Sequence, residues 1–163
     1  GQLPLFYNHL NTGRPDPDSR MFNRYASNYL DESNEPLYPF GYGLSYTDFV
    51  YGELQISSET LPKNGELTVS VTVTNKGNYD GYETVQLYLH DIYAEIARPV
   101  KELKGFERVF LKSGESRDVK FVITEDDLKF YNSELHYVYE PGEFDVMVGP
   151  NSRDVQTKSF QAK

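Results

Sequence analysis

Several residue types are missing from the sequence or scarce in it. Its 163 residues include no cysteine, no tryptophan and three histidines. The lack of cysteine excludes a disulfide framework, a thiolate-bound zinc site and a cysteine nucleophile. No apolar run approaches the ~18 residues that mark a membrane-spanning helix. A net charge of −9 argues against nucleic acid, whose phosphates bind basic surfaces. We expect neither a membrane nor a nucleic acid as a partner.

Residues 1–46 have an irregular pattern. They contain many prolines and glycines, which disfavour long helices and central strands. They also carry more tyrosine and phenylalanine than a flexible linker would. We expect an extended segment that lies on a folded surface, with a short helix around 19–28. The first residues lack the basic and apolar stretches of a signal peptide, and we expect the chain to be a fragment of a longer protein.

From Thr47 onward the side chains alternate between apolar and polar, as in strands with one face on a core. In one run, Leu87 and Leu89 are predicted to face the core, and Gln86 and Tyr88 are predicted to face water. Turn residues separate seven or eight predicted strands, at about 48–57, 66–75, 83–91, 100–111, 117–123, 135–139, 143–148 and 154–161.

Two features interrupt this alternation. The run that ends at Leu111 changes phase near Gly105, which indicates a β-bulge. Thr124 and the acidic residues after it fit a capping box that opens a helical turn over 125–131. A short helix between two late strands suits a crossing from one sheet to the other.

The order of these elements predicts the fold class. The strands do not alternate with long helices, which excludes a βαβ sheet and a (β/α)8 barrel. Residues 47–163 are close in number to the ~100 of a Greek-key sandwich. We therefore predict an all-β protein, an antiparallel β-sandwich over 47–163 with an irregular N-terminal extension over 1–46. With no tryptophan in the core, phenylalanine and tyrosine must fill that volume.

The histidines do not predict a metal site. A metal centre needs three or four converging ligands, and His9, His90 and His136 are far apart in the sequence. We expect these imidazoles to be exposed or partly packed. No metalloprotease, nucleophile-elbow or nucleotide-binding motif is present either.

Carboxylates are plentiful enough to be tested as a glycosidase pair. A retaining pair must face across the substrate at about 5–5.5 Å, whereas neighbours in an extended chain point apart. The candidates are Asp16 with Asp18, Asp31 with Glu32, and Asp126 with Asp127. The last pair is better explained by the positive end of a helix dipole. A calcium site at Asn11, Asp16, Asp18 and Ser19 lacks the spacing of an EF-hand loop.

Tyrosines offer a third kind of site. A strip of exposed rings on one sheet face could stack on sugars, although tyrosine is also simply a good strand former with a polar tip. The candidates are Tyr79, Tyr82, Tyr88 and Tyr93. A carbohydrate-binding module and an immunoglobulin-like surface interaction domain therefore stay open as alternatives.

One octapeptide resembles a family signature. The sequence FGYGLSYT at 40–47 is similar to one near the C-terminal end of glycoside hydrolase family 3 β-glucosidases. Motifs within residues 1–15 resemble the end of that family's middle α/β sandwich domain. The sequences VQLYL at 85–89, RPVKELKGF at 98–106 and PGEF at 141–144 resemble its fibronectin type III-like C-terminal domain. The resemblance covers the whole chain and is greatest to the periplasmic enzymes of Gram-negative bacteria.

The resemblance implies that the chain spans parts of two domains and that the catalytic residues lie on other domains. Residues 1–46 would be the tail of the α/β sandwich domain with a connecting hinge, and 47–163 the fibronectin type III-like (immunoglobulin-like) domain. The parent would be a retaining β-glucosidase that removes terminal β-D-glucosyl residues, with an Asp nucleophile and a Glu acid/base on domains upstream of residue 1. No position here matches either motif, so we expect no catalytic residue, metal ligand or cofactor, and an inactive fragment.

The resemblance also suggests what the chain contacts. Its expected partners are the catalytic domains of the same polypeptide, which alone would bring it near an oligosaccharide, in a periplasmic or secreted protein. The hinge residues Phe40, Tyr42, Leu44 and Tyr46 are the predicted interdomain contacts; alternatively, they only seal the end of the sandwich. The leading hypothesis is a non-catalytic domain that stabilises the enzyme.

Overall fold

The computed structural model describes residues 5–10 and 33–163. This part of the chain forms eleven strands and one helical turn. They are β1 (Phe49–Tyr51), β2 (Gln55–Ile56), β3 (Thr60–Leu61), β4 (Glu66–Asn75), β5 (Gly81–Asp91), β6 (Glu102–Leu111), β7 (Ser116–Thr124), α1 (Glu125–Leu128), β8 (Phe130–Tyr131), β9 (Tyr137–Val138), β10 (Gly142–Gly149) and β11 (Gln156–Ala162). The helix predicted at 19–28 lies outside the described residues. Among those described, no helix is long and apolar enough to cross a membrane.

The strands form two facing sheets and a small hairpin. In one sheet β4 is central, with β7 on one side and β1 and then β2 on the other. The second sheet has the order β3-β11-β10-β5-β6, and β8 pairs with β9 separately. Among the described strands, all pairings are antiparallel except that of β3 with β11. This arrangement confirms the predicted all-β, immunoglobulin-like sandwich.

The core lies between the two sheets, where the alternating apolar residues of both meet. Valines and leucines supply most of it, and each fully buried one stabilises the fold by about 1.5–3 kcal/mol. Phe144 and Phe160 add aromatic volume and stack with ring centroids 5.7 Å apart. The largest fully buried members are Leu54, Leu61, Leu67, Val69, Val73, Val85, Leu87, Leu111, Ile123, Val146 and Val148.

The strand predicted over 48–57 is broken, and this part of the prediction was wrong. The chain leaves the sheet edge after β1, and Leu54 turns into the core with 1% of its surface exposed. Gln156 on β11 fills the gap, since its Nε2 donates to the Gly52 carbonyl at 2.6 Å and its Oε1 accepts from the Leu54 amide at 3.0 Å. The chain then returns to β4 as β2 and afterwards joins the other sheet as β3. The break coincides with a change of phase, from apolar Tyr51 to apolar Leu54.

The predicted bulge in β6 is confirmed. The register between β5 and β6 shifts between Leu87, which faces Gly105, and Tyr88, which faces Leu103, so that Lys104 is left as the extra residue.

The capping box is confirmed but the helix is shorter than predicted. The Thr124 amide donates to Asp127 Oδ2 at 2.8 Å. The helix ends at Leu128, because Phe130 is drawn into a buried position, 3% exposed, at the start of β8. The turn still connects β7 of the first sheet with strands that lead to β10 of the second, as predicted.

Candidate functional site

The described residues of the N-terminal region lie on the outer face of the five-stranded sheet. The Phe40 carbonyl accepts a hydrogen bond from the Ser152 amide at 2.9 Å. The Phe40 ring stacks on Tyr7 with centroids 4.2 Å apart, and Tyr7 meets Tyr88 of β5 edge-on at 5.8 Å. Aromatic rings therefore cover the middle of β5 on the side that faces away from the core.

Backbone contacts fix residues 5–10 beside the start of β6. The Val100 amide donates to the His9 carbonyl at 2.9 Å. The Leu103 amide donates to the Tyr7 hydroxyl at 3.4 Å. The described parts of the N-terminal region thus lie on a folded surface, as their aromatic content predicted.

Gln86 is the polar centre of this contact. Its Nε2 donates to the Gly41 carbonyl at 3.1 Å and to the Pro150 carbonyl at 2.7 Å, and its Oε1 accepts from the Tyr88 hydroxyl at 2.5 Å. Gln86 is 4% exposed and Tyr88 is fully buried. The prediction that these two side chains face water was wrong, because the N-terminal region covers them. Burial raises the pKa of Tyr88 to about 12.

The close approach of the chain to Gln86 requires a glycine at position 41. Gly41 has φ of +79°, a left-handed conformation that other residues adopt at a cost. A Cβ atom there would also lie 2.0 Å from Gln86 Oε1. Gly43 in the same loop has open space around it, so only the first glycine is needed for this contact.

Asn75 fixes the other end of the hinge loop, which we define as residues 40–46. Thr47 Oγ1 donates to Asn75 Oδ1 at 2.6 Å, and Asn75 Nδ2 donates to the carbonyls of Tyr79 and Leu111 at 2.7 and 3.1 Å. Asn75 has no exposed surface, and a buried amide of this kind contributes through its full set of partners. The loop is therefore held by hydrogen bonds at both of its ends.

Between these fixed ends the hinge loop presents apolar side chains to solvent. They are the four predicted contact residues, with exposed fractions of 47% for Phe40, 41% for Tyr42, 89% for Leu44 and 97% for Tyr46. Tyr42 also rests on Tyr38 with ring centroids 5.3 Å apart. Their contact with another domain remains a prediction.

A cleft of about 370 Å³, the hinge cleft, separates the loop from the outer face of β5 and β6. Its lining residues are Gly41, Tyr42, Gly43, Leu44, Ser45, Tyr82, Glu83, Thr84, Arg108, Pro150 and Asn151. The Arg108 guanidinium lies 4.1 Å above the centre of the Tyr82 ring. Tyr82 also packs on Phe110 at 5.0 Å, and Phe106 further along β6 is 66% exposed. Arg108 was not identified from the sequence. It alternates with Phe106 and Phe110 along β6, and this spacing of two could have placed all three on one face of the sheet.

The carboxylate of Glu83, which lines part of this cleft, pairs with a tyrosine of β1. Its Oε1 accepts a hydrogen bond from the Tyr51 hydroxyl at 2.7 Å. Burial raises the pKa of Glu83, although the hydrogen bond from Tyr51 opposes the shift. Burial, with the nearby Glu83 charge, also raises the pKa of Tyr51. The pair joins β1 to β5 across the edge of the sandwich.

A second buried ionic group lies at the opposite end of β5. Arg98 Nη2 contacts Glu102 Oε2 at 2.7 Å, and its guanidinium lies 4.5 Å above the Phe130 ring. Arg98 Nε is 4.0 Å from Asp91 Oδ2, and neither of these two buried atoms has a hydrogen-bond partner among the described residues. Burial raises the pKa of Asp91, while Arg98 opposes the shift. The group holds the loop before β6 against the β8–β9 hairpin.

The other predicted groups do not converge on a site. His9 and His136 are exposed and His90 is half-buried. Asp127 caps α1 and Asp126 pairs with Lys129. Within the described ranges, no cluster of three or more potential ligands could hold a metal ion. The remaining candidates lie outside the described residues: Asn11, Asp16, Asp18, Ser19, Asp31 and Glu32.

The four tyrosines proposed as a sugar-binding strip are not brought together. Tyr88 is buried, whereas Tyr79 and Tyr93 lie beyond opposite ends of β5 and are 65% and 78% exposed. Tyr82 is half exposed, but Arg108 and Phe110 already pack on it.

The chain matches a known domain family and longer proteins. Residues 83–152 match the model of the fibronectin type III-like domain. The chain is 49% identical over 161 residues to the periplasmic beta-glucosidase of Salmonella typhimurium, covering 99% of this chain and 21% of that protein. It is 46% identical over 163 residues to a putative beta-xylosidase of Formosa agariphila, covering 100% of this chain and 20% of that protein.

A solved structure shares the fold at similar identity. The beta-glucosidase from Listeria innocua superposes with a TM-score of 0.89 at 46% identity, over 98% of this chain and 22% of that one. The chain thus spans about a fifth of the length of the relatives that it matches.

Proposed function

We propose that this chain is the C-terminal part of a glycoside hydrolase family 3 β-glucosidase and serves there as a non-catalytic accessory domain. Its similarity to known beta-glucosidases supports this proposal. In this proposal the sandwich supports the catalytic domains of the same polypeptide and takes no part in the chemistry. The parent enzyme would hydrolyse terminal β-D-glucosyl residues with a pair of carboxylates located elsewhere in the polypeptide.

One observation carries the proposal: the hinge loop is fixed at both ends and exposes apolar side chains between them. Gln86 and Asn75 hold the ends through buried hydrogen bonds. Leu44 and Tyr46, between the fixed positions Gly41 and Thr47, are almost fully exposed. Exposed apolar groups on a rigid base are typical of a surface that packs against another domain.

Rigidity at this position would serve catalysis indirectly. A retaining glycosidase needs two carboxylates at a fixed separation, and a misplacement of about 1 Å can cost a hundredfold in rate. A support that holds domains in register would therefore affect both stability and turnover.

The similarity to a periplasmic beta-glucosidase supports a periplasmic or secreted location for the parent. This part of the proposal is tested separately, by fractionating cells that express the full-length protein from its natural start.

Deletion of residues 47–163 from the full-length protein tests the accessory role. We expect the melting temperature and kcat on an aryl β-glucoside to fall together, because the catalytic domains lose a packed neighbour. The 163-residue chain by itself should not hydrolyse the same substrate. Unchanged stability and turnover after the deletion, or turnover by the chain alone, would contradict the proposal.

A further inference from the structure

The hinge cleft combines apolar rims with a cation, Arg108, that forms no ion pair with the described residues. We propose that this cleft and the adjoining outer face of β6 are the docking site for a loop of the catalytic portion of the same polypeptide, and that an Asp or Glu of that loop pairs with Arg108. The inference rests on the proposed accessory function and specifies the surface that carries it.

The apolar part of the surface lies on both sides of the cleft. Tyr42 and Leu44 of the hinge loop form one rim. Phe106 and Phe110 lie on the outer face of β6, where they are 66% and 38% exposed. Neighbouring exposed apolar groups of this kind mark interaction sites on soluble proteins, and aromatic residues with arginine are the types enriched at interface centres.

Arg108 gives the surface its chemical preference. It is solvent-exposed and forms no ion pair with any described residue. The Tyr82 ring beneath it holds the guanidinium in place, which lowers the entropy lost when a partner binds. The Glu83 carboxylate accepts a hydrogen bond from Tyr51 and forms no ion pair with Arg108. An acidic residue of a docked loop would complement this arginine, and the flat guanidinium favours a carboxylate in a two-pronged contact.

We assign the docked loop to the catalytic portion of the same polypeptide. In the Listeria innocua beta-glucosidase, the same fold matches 98% of this chain. It makes up 22% of that longer chain. A segment on the same polypeptide meets the cleft at a high effective concentration, on the order of millimolar for short connections. A modest surface with one ion pair is then sufficient for stable docking.

Hydroxyl-radical footprinting of the full-length protein tests the location. Tyr42, Leu44 and Phe106 should be protected, whereas Tyr131 and Tyr137 of the β8–β9 hairpin, which are 63% and 55% exposed, should react freely. Reaction of the first three residues at rates equal to those of the two tyrosines would show that nothing docks here.

Charge variants of the full-length protein test the ion pair. Arg108→Glu should lower the melting temperature by about 5 °C or more and remove the protection of Tyr42 and Phe106, because like charges meet at the interface. Arg108→Lys should retain most of the protection, since it keeps the charge, and should lower the melting temperature less than Arg108→Glu, although it loses the two-pronged contact. The matched control is Lys120→Glu, on the outer face of β7, where the residue is exposed; it should leave both readouts unchanged.

The outcomes separate this inference from the accessory role. If Arg108→Glu behaves like Lys120→Glu while deletion of 47–163 still lowers stability and kcat, the docking site is wrong and the accessory role stands. If the deletion has no effect but the protection depends on the charge at 108, the surface docks a segment without supporting catalysis.

Discussion

The two faces of β5 are both buried over residues 85–89, but by different interactions. The inner face carries Leu87 and Leu89 into the core between the sheets, where burial of apolar surface stabilises the fold. The outer face carries Gln86 and Tyr88, which the hinge loop and residues 5–10 cover through hydrogen bonds and ring contacts. The inner face tolerates any side chain of suitable size, whereas the outer one depends on particular atoms of particular partners.

This difference bears on function. An apolar core holds the sandwich together but fixes nothing outside it. The polar contact at Gln86 fixes the position of the loop that leads into the sandwich, because each hydrogen bond has a preferred geometry. The outer face of β5 is therefore the place where the sandwich fixes the orientation of the hinge loop.

Truncation of a core-facing side chain of β5 should cause the largest loss of stability. Leu87→Ala removes a core side chain that is 2% exposed, and we expect the free energy of unfolding to fall by about 2–5 kcal/mol, the cost of a large-to-small change with its cavity. Urea denaturation followed by circular dichroism measures it. Val122→Ala, at a 53% exposed position on β7, is the control and should change stability by less than about 0.5 kcal/mol. Equal losses in both variants would mean that Leu87 is not a core residue.

A side chain at position 41 should cause the second-largest loss of stability, through the outer face of β5. Gly41→Ala forces a Cβ onto Gln86 in a left-handed backbone conformation, and we expect a loss of about 2–3 kcal/mol in stability. Near-ultraviolet circular dichroism should report the release of Tyr88. Gly43→Ala, with open space at its Cβ, is the matched control. A Gly41→Ala protein as stable as this control would show that the hinge loop is not held at Gln86.

Removal of the amide tests the same contact with a smaller effect. Gln86→Leu leaves the Gly41 and Pro150 carbonyls and the Tyr88 hydroxyl without their partner. We expect a loss of about 1–2 kcal/mol, toward the low end for unpaired groups because the loop can turn its carbonyls to water. Gln55→Leu, at an exposed position on β2, provides the comparison in the same thermal melts. If both variants have the same melting temperature, the hydrogen bonds of Gln86 contribute nothing to stability.

Replacement of Glu83 should change stability the least, and the size of this change should depend on pH. Its pKa is raised in the folded state, so the folded protein binds a proton more tightly than the unfolded one between the two pKa values. Stability from this group is complete at low pH and is lost as pH rises through the folded pKa. Glu83→Gln keeps an acceptor for Tyr51 and should raise the melting temperature more at about pH 8 than at about pH 4. An equal shift at both pH values would contradict this assignment.

The sequence predicted the sandwich better than the surface around it. The period of two along β4, β5, β7 and β10 identified the strands and the inner residues, because the core requires that pattern of apolar side chains. The phase change near Gly105 predicted the bulge. The outer face of β5 was missed, because Gln86 and Tyr88 look like water-facing residues until the segment that covers them is known.

The candidate site was predictable only in part. The exposed aromatic residues of the hinge loop came from the family resemblance, and the structure shows how far each protrudes. Arg108 and the cleft beside it depend on the pairing of β5 with β6, which places Tyr82 next to Phe110 and Thr84 next to Arg108. Such pairings link residues about 25 positions apart, and periodicity within one strand carries no information about them.

The extra residue in β6 has a consequence for the behaviour of the chain in solution. β6 ends the five-stranded sheet, and an unpaired strand edge is a template on which a second molecule can add a strand and start aggregation. Lys104 at the bulge interrupts that edge with both an irregular backbone and a charge. We expect Lys104 deletion, which would restore a regular edge, to promote fibril formation at concentrations where the unaltered chain stays monomeric.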